Sequence, residues 1–332
     1  MTSAGPLSVG IIGLGRIAEG YDSPTGPGIA THIKACLNEP RLNIAWIADV
    51  DPARSVTVQA RWGLSAERLT PKTLIERRPD VLCIASPDDT HPAWIETALK
   101  IPPRLILCEK PLGSNLATAQ RLIDACAAAG VALVVNFPRR WLPGISDWLA
   151  KARGGGFGPP IAARLIYCRG LRHNACHGLD LIGAALGPRP VVGTGSAWWV
   201  EDFSVADPTV SATISVNVDG SAVPITLTGV DGRRLNIFDA DILYAGGGLR
   251  IWNDQGIRAQ ISVAGAPPAG HEATELHGER SFHDRPARYM LAVWQNIADH
   301  LCDDQPLLCR AEDTIDGMRL VEAFARIPKN AL

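Results

Sequence analysis

The chain has 332 residues, enough for two domains of ordinary size. Hydrophobic residues make up 46% and charged residues 20%, the mix of a globular protein with a sizeable core. A formal net charge of −2 and a pI near 6.4 exclude a basic field for a phosphate backbone, so nucleic acid is not an expected partner. The eight cysteines form no C-x-x-C pair and fall in apolar runs, so they read as reduced core residues. Met1-Thr2-Ser3-Ala4 lacks a basic leader, and no apolar stretch has the length of a membrane span. The expected address is the cytoplasm, with no membrane partner.

In chain order, short apolar runs at Ser8–Ile12, Asn43–Ala48, Val81–Ala85, Leu105–Cys108 and Val131–Val135 suit parallel strands buried on both faces. Helical stretches fall between them at Arg16–Asn38, Pro52–Trp62, Pro92–Lys100 and Asn115–Ala129. Strand–helix alternation of this kind predicts a doubly wound α/β sheet, a Rossmann domain over residues 1–138. From 139 to 332 the pattern changes to an α+β domain with a large, mostly antiparallel open sheet. Helix Leu142–Arg153, strand Ile161–Cys168 and helix Ala175–Leu186 lead into a meander over Thr209–Val263. Its turns are marked by Asp219-Gly220, Asp231-Gly232, Gly246–Gly248 and Asn253–Gly256. Helices at Arg285–Cys302 and Glu312–Ile327 close the chain. The open face of the meander predicts a homodimer or tetramer.

The first strand runs into Gly13-Leu14-Gly15-Arg16-Ile17-Ala18, a G-x-G-x-x-A pattern followed by a helix. Gly13 permits the tight turn, Gly15 the approach of a pyrophosphate, and the helix start at Arg16 and Ile17 faces the phosphates. Asp49 ends the second strand, where a carboxylate accepts from an adenosine ribose and repels a 2′-phosphate. NAD is therefore expected over NADP, with Arg54 leaving NADP open; the alternative for Asp49 is a helix-start acid. Tyr21–Gly28 is a Pro/Gly-rich insertion. Ser86, Pro87 and His91, then Glu109 and Lys110, then Asn136, Arg139 and Arg140 follow later strand ends, where open α/β sheets bind ligands.

These residues together resemble the glucose–fructose oxidoreductase / inositol dehydrogenase / MocA family. The resemblance rests on Gly13–Ala18, the Ser86–His91 stretch, E-K-P at Glu109–Pro111 and an H-x-x-D helix at His177–Asp180. It implies an NAD(P)-dependent oxidoreductase moving a hydride to or from a secondary alcohol or ketone of a sugar, sugar derivative or cyclitol. It places Lys110 near the nicotinamide and the substrate hydroxyl, and makes His177 the proton-transfer histidine. Many relatives carry an acid four residues before that histidine; here the position is His173, a second candidate for the proton. Ser86, Pro87, His91, Glu109 and Lys110 join Gly13, Gly15, Arg16, Ile17 and Asp49 on the cofactor side. Asn136, Arg139, Arg172, Asn174 and Asp180 are the expected substrate contacts. His173, His177 and Asp180 have metal-like spacing, but Asn174 stands where a zincin glutamate belongs, so no metal is expected. Three other outcomes stay open: an NAD-retaining elimination or glycoside cleavage, reduction of a different small carbonyl or diol, and a catalytically silent NAD-binding regulator.

Overall fold

The computed structural model describes residues 5–70, 73, 77–200, 202–267 and 274–328. They form two compact units, one of Met1–Trp141 with Pro286–Asp313, the other of Leu142–Arg285 with Thr314–Leu332.

The first unit holds a six-stranded sheet of β1 (Leu7–Ile12), β2 (Leu42–Ala48), β3 (Glu67–Leu69), β4 (Val81–Ile84), β5 (Leu105–Glu109) and β6 (Ala132–Asn136). Their order is β3-β2-β1-β4-β5-β6, all parallel, which is the Rossmann arrangement. Every residue of β4 and β5 is buried, as strands covered on both faces require. Gly10 in β1 is open to no side chain, because Trp46 of β2 fills the space; a Cβ there would lie 2.1 Å from the indole. Helices α2 (Pro52–Trp62), α3 (His91–Ala98) and α4 (Leu116–Ala128) connect the strands close to their sequence-predicted limits. Asp51 caps α2, accepting from the Ala53 N–H, and Asn115 caps α4 through Thr118. The three-residue edge strand β3 carries too little pattern to be seen in advance.

The predicted helix Arg16–Asn38 is not continuous. A π-helical turn at Arg16–Gly20 and the short α1 (His32–Leu37) are separated by the insertion. Lys34, buried in α1, closes it: its ammonium donates to the Ser23 and Gly26 carbonyls at 2.7 and 2.5 Å. Asp22 accepts from the Ala30 N–H and the Thr31 hydroxyl. Prolines and glycines at 24–28 break the helix, and a buried cation holds the resulting loop. Helix α7 (Tyr289–Asp303) also belongs to this unit; Trp294 reaches His32, and Arg41 pairs with Asp299.

The second unit holds α5 (Ile145–Arg153), α6 (Cys176–Leu186), α8 (Ile315–Ala325) and a nine-stranded sheet. The strands are β7 (Pro160–Tyr167), β8 (Val191–Thr194), β9 (Trp198–Val200), β10 (Thr209–Val218), β11 (Ser221–Gly229), β12 (Phe238–Tyr244), β13 (Gly247–Asn253), β14 (Ile257–Ala264) and β15 (Leu276–Asp284). Asp219 and Gly220, both at positive φ, make the expected tight turn between β10 and β11. Asp231-Gly232 does not make a hairpin. β7 lies between β11 and β12, parallel to the first and antiparallel to the second. The Asp231-Gly232 loop is instead held by Asp202, whose carboxylate also accepts from the Arg169 and Phe203 N–H groups. The sheet is mostly antiparallel, but its meander is split by an earlier strand. Helices α6 and α8 meet backbone to backbone: a Cβ on Gly183 would lie 2.3 Å from the Gly317 nitrogen.

Candidate functional site

The cofactor loop is a consequence of two strand ends meeting. Gly13 leaves β1 with φ +84, and a Cβ there would lie 2.5 Å from the Ser86 nitrogen and 2.7 Å from the Ala85 carbonyl carbon. Only glycine satisfies both the backbone angle and the contact. Gly15 differs: its φ is −80, and a built Cβ meets nothing within 4 Å. Its missing side chain leaves room for something outside the chain. A cavity of about 540 Å³ opens there, within the usual size of a ligand site. Its walls include Gly13 and Gly15, Asp49 after β2, and Ser86 and Pro87 after β4, so five of the residues expected on the cofactor side share one cavity.

Asp49 is half-buried and its two carboxylate oxygens accept from the Leu14 N–H (2.8 Å) and the Asp51 N–H (2.9 Å). It is not the helix-start acid, a place taken by Asp51. It braces the glycine loop, and each carboxylate oxygen keeps a lone pair for a further donor. Ser86 and Thr90 share a 2.7 Å hydroxyl contact, and the Thr90 hydroxyl donates to the Pro87 carbonyl, so Ser86 is the donor of the pair. Arg16 is exposed and lies over the Tyr21 ring at 4.9 Å. Ile17 follows it in the π-helical turn.

Neither His91 nor Glu109 lines this cavity. His91 is fully buried, its ring nitrogens 2.8 and 3.0 Å from the Pro111 and Ser86 carbonyl oxygens. It ties the end of β4 to the E-K-P turn, in which Lys110-Pro111 is a cis peptide. Glu109 is buried at the end of β5 and accepts from His32 Nε2 (3.0 Å) and the Asn136 amide (2.6 Å). The Trp294 indole can only donate, and it points at His32 Nδ1 (3.2 Å); the imidazole proton therefore sits on Nε2, facing Glu109. Burial pushes the Glu109 carboxyl up, but the hydrogen bond from His32, then the Asn136 amide and the Lys110 charge, outweigh it and hold the group below the usual carboxylate range. The next residue, Lys110, thus follows a buried anion and is itself partly exposed. Arg139 and Arg140 are buried after β6, with the Arg140 guanidinium donating to the Asp313 carbonyl.

In the second unit His173 is exposed in a π-helical turn, Leu171–Ala175, and His177 is partly exposed in the first turn of α6. Asp207 fixes that turn, accepting from the Arg172 and His173 N–H groups at 2.8 Å. The Asn174 amide donates to the Cys168 carbonyl, and Asp180 is buried within α6. Among the described residues no cluster of three or more His, Cys, Asp or Glu is arranged for a metal ion, and no helix is long and apolar enough to cross a membrane.

Sequence reasoning missed Leu14, Thr90 and Trp94, all on the cavity wall, and His32 and Trp294 of the buried network. Trp94 stands three residues after His91 on α3, one helical turn from a recognised residue, which is the signal that could have found it. His32 and Trp294 gave none, being 262 residues apart.

Residues 7–137 match the sequence model of the Gfo/Idh/MocA oxidoreductase family, described as an NAD-binding Rossmann fold. The chain is 30% identical to an inositol 2-dehydrogenase of Acidothermus cellulolyticus over 164 residues, 48% of this chain and 45% of that protein. It thus spans about half the length of the curated relatives it matches. Among solved structures, an Agrobacterium radiobacter oxidoreductase in complex with NAD+, L-tartaric acid and magnesium aligns with a TM-score of 0.69 at 20% identity, over 96% of this chain and 95% of that one. A 3-ketoreductase from Actinomadura kijaniata, in complex with NADP and TDP-benzene, aligns with a TM-score of 0.70 at 19% identity over 98% of each chain.

Proposed function

For a chain whose residues 7–137 match the Gfo/Idh/MocA oxidoreductase model, an NAD-binding Rossmann fold, we propose an NAD-dependent dehydrogenase or ketoreductase of a sugar, sugar derivative or cyclitol. The observation that carries it is the cavity around Gly13, Gly15 and Asp49, which has the glycine turn, the open approach and the carboxylate that such a cofactor needs. NAD bound there would supply the hydride acceptor or donor. The preference for NAD over NADP rests on Asp49, whose charge opposes a 2′-phosphate. The exposed Arg54 on the same cavity forms no ion pair with a described residue and is the opposing influence.

Lys110 polarises the substrate oxygen as a cation, and His177 holds or releases the hydroxyl proton. His173, Arg139, Arg172, Asn136, Asn174 and Asp180 orient the substrate or these two groups. The relatives support the substrate class: one is named an inositol 2-dehydrogenase, another a D-apiose dehydrogenase. The test is a screen of cyclitols, sugars and sugar nucleotides for reduced cofactor at 340 nm, with NAD and NADP in parallel. Turnover of at least one polyol with NAD is expected, abolished in Lys110→Ala while NAD still binds, and slowed roughly 10²–10⁴-fold in His177→Ala. Net turnover unchanged in Lys110→Ala would overturn the assignment. Retained nucleotide without net reduction would point to a transient-oxidation lyase instead.

A further inference from the structure

Five tryptophans of the first unit are described, and four are committed. The Trp46 indole donates to the Arg77 carbonyl, Trp62 to Glu19, Trp141 to Asn296 and Trp294 to His32. Trp94 is half-exposed on α3 and makes no hydrogen bond, ring stack or cation contact with any described residue. It lines the cavity beside Pro87 and Thr90, with Asp49 and Arg54 contributed by the β2 side. A large indole left unengaged at a ligand cavity is unusual, because its area and its N–H both favour a partner.

The chemistry of the cavity says which partner. Asp49 receives the adenosine ribose in a fold of this order, so the purine on that ribose must occupy the adjoining part of the same cavity. A purine is flat and aromatic, and an indole face is the strongest neutral surface for stacking on it. We propose that Trp94 is the stacking wall of the adenine subsite, covering one purine face. This rests on the NAD reading of the cavity but not on the proposed reaction.

The test is calorimetric titration of the whole protein with NAD, ADP-ribose and nicotinamide mononucleotide, in the unaltered chain, Trp94→Ala and Trp94→Phe. Trp94→Ala should weaken NAD and ADP-ribose by a common factor of about 10- to 100-fold, the worth of one base stacked on an aromatic ring. Trp94→Phe should stay within about fivefold, since it keeps a π-face. The mononucleotide, which has no purine, should bind no worse in either variant. If Trp94→Ala melts early, Trp94→Leu replaces it, bulky but not aromatic, with the same loss expected. Unchanged NAD affinity in the non-aromatic variant, or an equal loss for the mononucleotide, overturns the proposal. An unaltered protein that binds none of the three ligands overturns the cofactor reading and the subsite together.

Discussion

Replacing each glycine of the cofactor loop by alanine separates folding from binding, because the two glycines are required for different reasons. At Gly13 an alanine would hold a φ of +84, which costs a side-chain-bearing residue about 1–2 kcal/mol. Its Cβ would also lie 2.5–2.7 Å from the Ala85–Ser86 backbone, whose Ala85 N–H is bonded to the Ile12 carbonyl at 2.8 Å. Backbone cannot rotate away as a side chain does, so overpacking adds about 1–3 kcal/mol. The sum, roughly 2–5 kcal/mol, should lower the melting temperature by about 5–20 °C and abolish NAD binding. At Gly15 the φ of −80 suits alanine and the Cβ touches nothing. Gly15→Ala should therefore melt within about 2 °C of the unaltered protein, yet bind NAD roughly tenfold or more weakly, since the methyl occupies the approach to the pyrophosphate. Urea or thermal melts with calorimetric titration read both effects. If Gly15→Ala binds NAD as the unaltered chain does, or Gly13→Ala melts unchanged, the account of the loop is wrong.

Glu109→Gln should destabilise the protein by about 2 kcal/mol at neutral pH, because the bonds from His32 and Asn136 to its Oε1 lose the assistance of the carboxylate charge. The Glu109 pKa is lowered on folding from 4.5, so its contribution is present above that value and lost as pH falls through the folded one; the two proteins should converge in acid, and parallel stability curves from pH 7 to 3 would contradict this. The sheet of the second unit leaves Ile161, Leu243 and Leu276 exposed, and a homodimer or tetramer through that face is expected; sedimentation giving only a 35 kDa species at micromolar concentration would exclude it.

What the sequence determined by itself was local. Buried strands β4 and β5 are continuous apolar runs, α4 shows its apolar stripe between Asn115 and Ala129, and the glycine loop announces itself because turn geometry depends on adjacent residues. Asp49 was legible for the same reason, as the polar residue that ends an apolar strand. Tertiary structure decided what depends on distant partners. Strand β7 enters between β11 and β12 because pairing is settled by which edges meet, and Asp231-Gly232, a hairpin signal in isolation, is captured by Asp202. The helix expected over Arg16–Asn38 yields to a loop closed by Lys34, a residue that patterns like any surface lysine. His91 and Glu109 were found by motif, but only packing showed that neither lines the cavity, His91 being tied to the Ser86 and Pro111 carbonyls and Glu109 to His32 and Asn136. Their partners are fixed by burial: an interior carboxylate must be satisfied, and the fold met that need with His32, 77 residues away, and with Trp294 behind it.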